Sequence, residues 1–116
     1  MAKILIIEDE EMIRKLLKRV FKLVRKEEVV EAAKGMDGVD TAVKEKPEFI
    51  FCDIGLPDIS GIEVIRQLRN NKAFENTRII AMSAEYENKN KALEAGADSF
   101  LKKPFFISDI EKAIGS

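Results

Sequence analysis

The sequence predicts an α/β fold in which helices cover both faces of a five-stranded parallel sheet. Two kinds of segment alternate along the chain: short apolar runs rich in β-branched residues, and longer segments whose apolar residues recur every three or four positions. The short runs have strand length, and the longer segments have the period of an amphipathic helix. This strict alternation is typical of parallel sheets whose strands are joined by right-handed helical crossovers.

Five apolar runs are predicted as strands because each is too short for a helix. They are Ile4 to Ile7, Val29 to Ala33, Phe49 to Cys52, Ile79 to Met82, and Phe100-Leu101. The helical patterns that follow them contain Met12, Ile13, Leu16, Leu17, Val20, Leu23 and Val24, then Val39, Ala42 and Val43, then Ile62, Ile65 and Leu68, then Ala92, Leu93 and Ala95, and finally Ile107, Ile110 and Ile114.

Residues at the segment ends support these boundaries. Gly96 follows the fourth helical pattern, where a left-handed cap is expected, and Ser108 with Glu111 has the spacing of a capping box at the start of the fifth. Pro47 and Pro104 fall outside the helical patterns. For five βα units the natural strand order is 2-1-3-4-5, which is the doubly wound, flavodoxin-like arrangement.

Length and composition favour one soluble domain over residues 1–116, with 46% hydrophobic and 35% charged residues. A net charge of -1 gives no overall attraction to nucleic acid or to an anionic membrane. No signal peptide or membrane-spanning stretch is present, so a cytoplasmic location is expected. The chain has no histidine and a single cysteine, which excludes an internal disulfide and any Ser-His or Cys-His nucleophile pair.

Polar residues directly follow four of the predicted strands. In a doubly wound sheet, ligands bind beyond the carboxyl ends of the strands. We therefore expect one cluster at this edge, formed by Glu8 and Asp9 after the first strand, Asp53 after the third, Ser83 after the fourth, and Lys102 and Lys103 after the fifth.

The carboxylates of Glu8, Asp9 and Asp53 are expected to lie close together, because the first and third strands are neighbours in this order. Crowded carboxylates repel one another or recruit a cation, and an all-oxygen site favours a hard ion such as Mg²⁺. Glu10 and Glu11 are interpreted differently, as first-turn charges stabilised by the dipole of the first helix.

Asp53 is the candidate phosphoryl acceptor, since a charge directly after a buried strand is costly unless it has a role. An aspartate carboxylate accepts a phosphoryl group as an acyl phosphate. A site lysine would neutralise phosphoryl oxygens, and the hydroxyl of Ser83 would donate a hydrogen bond to one. Taken singly, Ser83 also suits a turn, and the residues alone leave open whether Lys102 or Lys103 points into the site.

Four ordered motifs carry a family resemblance over essentially the whole chain. They are ILIIEDE, FIFCDIGLPDISGIEVI around Asp53, IIAMSAE around Ser83, and ALEAGADSFLKKPF near the end. Together they resemble the receiver domain of two-component response regulators, the group that includes single-domain chemotaxis and sporulation regulators. The resemblance implies that Glu8 and Asp9 form the acidic metal pair, that Asp53 is phosphorylated, and that the backbone carbonyl of Gly55 joins the metal.

The resemblance also implies the residues of the conformational switch. Ser83 would hold the hydroxyl position, where threonine is frequent, and Phe100 the aromatic position, where tyrosine is frequent. Lys103 would be the site lysine, because in the family that residue directly precedes a proline, and the Lys103-Pro104 bond is often cis in relatives. Glu8 stands where aspartate is commoner.

The function implied is a phosphorylation-activated switch of a two-component system or phosphorelay, with Mg²⁺ as cofactor and Mn²⁺ as a substitute. The donor is a histidine kinase or histidine phosphotransfer protein, and it is external because this chain has no histidine. Such a domain catalyses its own phosphorylation and dephosphorylation, with Glu85 tuning access of water. Helix 4, strand 5 and helix 5 would then present a changed face to an effector protein or to a C-terminal output domain.

Three alternatives remain from the residues. An interaction module of the same shape would act without phosphorylation, although the five site residues Glu8, Asp9, Asp53, Ser83 and Lys103 argue against it. An aspartate-based phosphohydrolase would need more chain for a substrate pocket and cap. A flavin site is disfavoured because Glu8 to Glu11 puts negative charge where a phosphate would bind. Cys52 is interpreted as a small core residue without a function.

Overall fold

A computed structural model describes residues 3–25 and 28–115. It contains one five-stranded parallel sheet in the order β2-β1-β3-β4-β5, which confirms the predicted fold. The strands are β1 Lys3–Ile7, β2 Glu28–Ala32, β3 Phe49–Asp53, β4 Arg78–Ser83 and β5 Ser99–Lys102. The helices are α1 Glu11–Val20, α2 Gly35–Glu45, α3 Gly61–Arg69, α4 Asn88–Ala95 and α5 Ile107–Gly115, with a π-helical turn at Phe21–Arg25 and a 3-10 turn at Lys72–Phe74.

Alternate side chains of each strand fill two separate cores, one on each face of the sheet. On one face Leu5 and Ile50 belong to the cluster that contains residues of α2, α3 and α4. On the other face Ile4 and Phe51 belong to the cluster that contains residues of α1 and α5. Because both faces of the central strands are buried, β1, β3 and β4 each contain a continuous apolar run, and the helices carry the amphipathic pattern.

The first helical pattern is less buried than its apolar spacing suggested. The α-helix ends at Val20 and continues as the π-helical turn, so the predicted single helix is interrupted. Met12, Leu16 and Leu23 are exposed rather than in the core. Val24 belongs to the same predicted pattern, and its side chain lies outside the described part of the structure.

Two helix ends test the boundary signals. Gly96 caps α4 with a positive φ of 120°, which confirms a glycine-type cap. The capping box at Ser108 is wrong, because α5 begins at Ile107 and Ser108 lies inside it. The reciprocal bond is made two positions earlier, where the carboxylate of Asp109 accepts the backbone N–H of Phe106 at 2.8 Å. The start of α1 differs by one residue from its prediction, because Glu11 opens the helix and Glu10 precedes it as the N-cap.

Across the described residues, the structure contains no helix with the length and apolarity that crossing a membrane requires.

Candidate functional site

Four strand ends meet at one edge of the sheet and bring the predicted polar residues together. Glu8 follows β1, Asp53 ends β3, Ser83 ends β4, and Lys103 follows β5. In the described ranges, the buried polar or charged residues are Glu8, Asp53 and Ser83, which are 0%, 6% and 7% exposed. Buried polarity is therefore concentrated at this edge, which marks it as the candidate functional site.

Lys103 joins the two buried carboxylates. Its ammonium nitrogen lies 2.5 Å from Oε1 of Glu8 and 2.9 Å from Oδ1 of Asp53, and its side chain is 13% exposed. Lys102 is exposed on the other side of the strand, so the structure selects Lys103 of the two lysines. Burial lowers the pKa of Lys103, but hydrogen bonds and attraction to the two carboxylates outweigh that effect and raise it above its ordinary value. The site therefore contains a permanent cation.

Ionisation of the two buried carboxyl groups is unfavourable in their surroundings. Burial raises the pKa of Glu8 and of Asp53 above the ordinary carboxyl values, and the hydrogen bonds from Lys103 offset only part of that rise. Neighbouring carboxylates also raise these pKa values, since Asp53 acts on Glu8, and Asp9 and Glu10 act on Asp53. A further positive charge would relieve this repulsion.

The acidic cluster fits a hard divalent cation. Glu8, Asp9 and Asp53 each offer one carboxylate oxygen, and these oxygens lie within 4.8 Å of one another. Asp9 is exposed, which leaves one side of the cluster open to solvent. Three carboxylates against one ammonium leave excess negative charge, and all-oxygen ligands with open water positions are what Mg²⁺ prefers.

An arginine that the sequence analysis missed fixes the β1–α1 loop. Nη1 of Arg14 donates to the backbone carbonyl of Glu8 at 2.7 Å, and its Nε lies 3.1 Å from Oε1 of Glu31 on β2. Lys18 binds the other oxygen of Glu31 at 2.9 Å. The isolated charge of Glu31 within the apolar run of β2 was the sequence signal for this network.

An aspartate that was also missed fixes the β3–α3 loop. The carboxylate of Asp58 accepts the backbone N–H groups of Gly35 at 2.7 Å and Met36 at 2.9 Å, at the start of α2. Hydrogen bonds from Met36 and Gly35 lower the pKa of Asp58 to about 2. This loop contains Gly55, and a Cβ built on Gly55 would lie 3.7 Å from Oδ2 of Asp53, so Gly55 borders the carboxylate.

Gly61 ends the same loop, and its backbone lies close to the backbone of Asp53 and Ile54. Its N–H donates to the carbonyl of Ile54 at 2.9 Å. A Cβ built on Gly61 would lie 2.1 Å from the backbone oxygen of Asp53, a distance that no side chain tolerates. The position of Asp53 therefore depends on glycine at residue 61.

Ser83 is held from the α4 side. Its Oγ accepts the backbone N–H of Glu85 at 3.0 Å and the side-chain amide of Asn88 at 3.0 Å. The backbone N–H of Lys103 donates to the carbonyl of Ser83 at 2.8 Å, which ties the ends of β4 and β5 together. Asn88 was not predicted, whereas Glu85 was, and the side chain of Glu85 is exposed.

Phe100 is partly buried against the core and contacts Tyr86 edge to face, with ring centroids 6.1 Å apart and planes at 89°.

The Lys103–Pro104 peptide is cis, as the resemblance implied. Cys52 is fully buried, which confirms its interpretation as a small core residue, and burial strongly raises the pKa of its thiol.

A family model described as the response regulator receiver domain matches residues 4–115. The chain belongs to this family. Receiver domains are phosphorylation-activated switches of two-component signalling, and this chain is a domain of that kind. Membership argues against both the phosphohydrolase and the flavin interpretations.

Two receiver relatives illustrate the likeness in sequence. The chain is 41% identical over 113 residues to the KDP operon transcriptional regulatory protein KdpE of Escherichia coli, covering 96% of this chain and 48% of that protein. It is 35% identical over 116 residues to the sporulation initiation phosphotransferase F of Bacillus subtilis, covering 97% and 90%. The chain therefore spans about half of KdpE, whose coverage is 48%, and most of the sporulation protein.

Two solved receiver structures illustrate the likeness in fold. The chemotaxis response regulator CheY4 of Vibrio cholerae superposes with a TM-score of 0.90 at 28% identity, covering 97% of this chain and 94% of that one. The receiver domain of the sensor histidine kinase PA1611 of Pseudomonas aeruginosa has a TM-score of 0.86 at 25% identity, covering 99% and 98%. That structure has a magnesium ion coordinated in its active-site cleft.

Proposed function

We propose that Asp53 of this receiver domain accepts a phosphoryl group from a phosphohistidine of a histidine kinase or histidine phosphotransfer protein. One observation carries the proposal: the buried Asp53 carboxylate lies 2.9 Å from the ammonium of Lys103, and carboxylate oxygens of Glu8, Asp9 and Asp53 lie within 4.8 Å of one another. This arrangement provides a nucleophilic oxygen with positive charge beside it, and a place for a cation among the three carboxylates. Phosphoryl transfer requires mainly such alignment and charge neutralisation.

In the forward step, an oxygen of Asp53 forms a bond to phosphorus as the phosphorus–nitrogen bond of the donor phosphohistidine breaks. The imidazole nitrogen keeps the electron pair of that bond and takes up a proton from water. Lys103 then neutralises one of the phosphoryl oxygens, and the hydroxyl of Ser83 donates a hydrogen bond to another. Mg²⁺, or Mn²⁺ as a substitute, supplies positive charge at the phosphoryl group when held by Glu8, Asp9, Asp53 and the carbonyl of Gly55.

The reverse of activation is hydrolysis within the same domain. A water oxygen attacks phosphorus, the bond between phosphorus and the Asp53 oxygen breaks, and inorganic phosphate leaves with the carboxylate restored. The domain thus catalyses its own phosphorylation and dephosphorylation without acting on a separate substrate. The exposed side chain of Glu85, two residues after Ser83, tunes the access of that water.

Phosphorylation changes the surface formed by α4, β5 and α5. Ser83 ends β4 directly before the loop to α4, and Phe100 lies on β5 against Tyr86 of that loop. Movement of Ser83 toward the phosphoryl group and of Phe100 inward alters this face, which an effector protein recognises. KdpE, of which the chain covers 48%, is a transcriptional regulator. This supports a C-terminal output domain in a longer parent protein as the alternative partner that recognises this surface. The receiver domain itself acts in the cytoplasm and binds neither nucleic acid nor membrane.

Intact-mass measurement after incubation with acetyl phosphate tests the acceptor. We expect a gain of one phosphoryl group with Mg²⁺, none with chelator, and none in Asp53→Ala. Asp40→Ala is the matched control, because Asp40 is an exposed aspartate of α2 away from the strand ends. A folded, Mg²⁺-binding protein that gains no mass would instead support the phosphorylation-independent interaction module.

A further inference from the structure

The hydroxyl oxygen of Ser83 accepts two hydrogen bonds, both from residues before or at the start of α4. The backbone N–H of Glu85 and the side-chain amide of Asn88 each donate to Oγ at 3.0 Å. A serine hydroxyl accepts up to two hydrogen bonds and donates one. Its proton is therefore free to be donated, while its position is set by the loop before α4 and by the first residue of that helix.

The two ends of α4 are attached differently. At the C-terminal end, Arg69 of α3 donates to the carbonyl of Gly96 at 2.8 Å and binds Asp98 at 2.9 Å. The same Asp98 oxygen accepts the backbone N–H of Ile79 on β4, also at 2.8 Å. This end is thus tied to a helix and to a central strand by charged hydrogen bonds.

The N-terminal end of α4 has weaker attachments. Asn88 holds it to Ser83, and the ring of Tyr86 contacts Phe100 edge to face. The fully buried side chain of α4 is Ala92, whose small area contributes little packing energy. A change at Ser83 is therefore able to release this end while the other end stays fixed.

We propose that Asn88 is a positioning residue that restrains the switch: its amide ties the first turn of α4 to the Ser83 hydroxyl in the unphosphorylated domain. This inference rests on the proposed roles of Asp53 and Ser83. When Asp53 carries a phosphoryl group, its charged oxygen is a stronger acceptor for the Ser83 proton than any neutral group. Ser83 then turns toward the phosphoryl group, the bond from Asn88 is lost, and the first turn of α4 is freed.

The restraint predicts that removing the Asn88 amide favours the active state. Trifluoroberyllate, which binds a carboxylate oxygen as a phosphoryl mimic, serves as the probe together with Mg²⁺. We expect Asn88→Ala to bind it about three- to tenfold more tightly than wild type, the range that corresponds to losing one neutral hydrogen bond in the resting state.

The chain provides its own optical signal for this titration. It has one tyrosine and no tryptophan, so intrinsic fluorescence excited at the tyrosine band comes from Tyr86 alone. Tyr86 precedes α4, and its ring also lies beneath the ammonium of Lys89 at 5.4 Å. A rearrangement of the first turn of α4 changes both of these ring contacts and hence the emission.

A matched variant and a double-variant cycle separate restraint from general loosening. Asn90→Ala changes the same residue type in the same helix at an exposed position, and wild-type affinity is expected. In a Ser83→Ala background the effect of Asn88→Ala should disappear, which a merely structural role would not produce. An equal affinity of Asn88→Ala and wild type, or an unchanged effect without Ser83, overturns the restraint while leaving the acceptor role of Asp53 intact. A wild-type protein that binds no trifluoroberyllate overturns both proposals.

Discussion

The ammonium nitrogen of Lys103 lies 2.9 Å from Oδ1 of Asp53. The same nitrogen also contacts Glu8, so one cation is shared by two buried carboxylates that approach each other from neighbouring strands. Removing that cation leaves both carboxylates uncompensated in a place where ionised groups are costly.

Lys103→Met is expected to destabilise the domain by about 2 kcal/mol in chelator at neutral pH, the scale of hydrogen bonds to charged groups. Urea unfolding measures the change. Lys102→Met is the control, because this adjacent lysine is exposed and should have a near-zero effect. Added Mg²⁺ should restore part of the loss by replacing the missing positive charge, and an unchanged free energy of unfolding in Lys103→Met would contradict the shared-cation interpretation.

The raised carboxyl pKa of Asp53 predicts a pH-dependent stability in chelator. Burial raises this pKa above its ordinary value of 3.8, so the folded state holds the proton to a higher pH than the unfolded state does. Stability from this group is therefore present below 3.8 and declines as pH rises through the raised folded value. Asp53→Asn cannot ionise, and we expect its free energy of unfolding to exceed that of wild type at neutral pH, with the gap closing as pH falls.

Mg²⁺ should reverse the difference in stability between wild type and Asp53→Asn. The ion binds ionised carboxylates, so its affinity for wild type should rise as pH rises through the raised pKa of Asp53. Binding should therefore release protons. Isothermal calorimetry in two buffers of different ionisation enthalpy measures the proton release. An affinity for Mg²⁺ that does not vary with pH would show that Glu8 and Asp53 are already ionised throughout.

Asp58 predicts the opposite pH behaviour. Its folded pKa of about 2 lies below the ordinary 3.8, so its stabilisation is complete above 3.8 and is lost as pH falls toward 2. Carbon NMR of the side-chain carboxyl should give a midpoint near the lower value. Asp58→Asn should lower the stability above 3.8 and weaken Mg²⁺ binding, since the loop that contains Gly55 loses its tie to α2. A carboxyl midpoint at the ordinary value would contradict this tie.

Gly61→Ala is expected to cost about 1–3 kcal/mol, the scale of overpacking, because the new methyl group would meet the backbone of Asp53. Chemical denaturation measures the loss, and trifluoroberyllate binding should weaken as Asp53 moves. Gly55→Ala is the stability control, since its Cβ would make only an ordinary contact at 3.7 Å. Equal stabilities of the two variants would show that the loop yields at Gly61.

The strand order and the site were predictable because both follow from a simple rule. Apolar strands that alternate with helices must be parallel, and the carboxyl ends of neighbouring parallel strands meet at one edge. Glu8, Asp53 and Ser83 could therefore be grouped without coordinates. Periodicity also predicted each helix, but Met12 and Leu16 of the first pattern are exposed, since apolar spacing does not distinguish a buried face from an exposed apolar one.

The supporting residues were beyond sequence reasoning because their partners are distant or are backbone groups. Asp58 binds N–H groups that lie 23 and 22 residues earlier in the chain. Arg14 binds the carbonyl of Glu8, and every residue has a carbonyl, so no pattern marks the acceptor. The error at Ser108 has a local origin, since a shift of two residues in the helix start passes the role of Glu111 to Asp109.

The repulsion among the buried carboxylates links signalling to protein lifetime. A ligand that binds only the folded state stabilises it by mass action, and here a bound cation would relieve the carboxylate repulsion at the sheet edge. The resting domain should then open more often than the loaded one and be cut sooner by proteases that attack open chains. In a cell, the same acidic cluster that receives the signal would determine how long an unused copy survives.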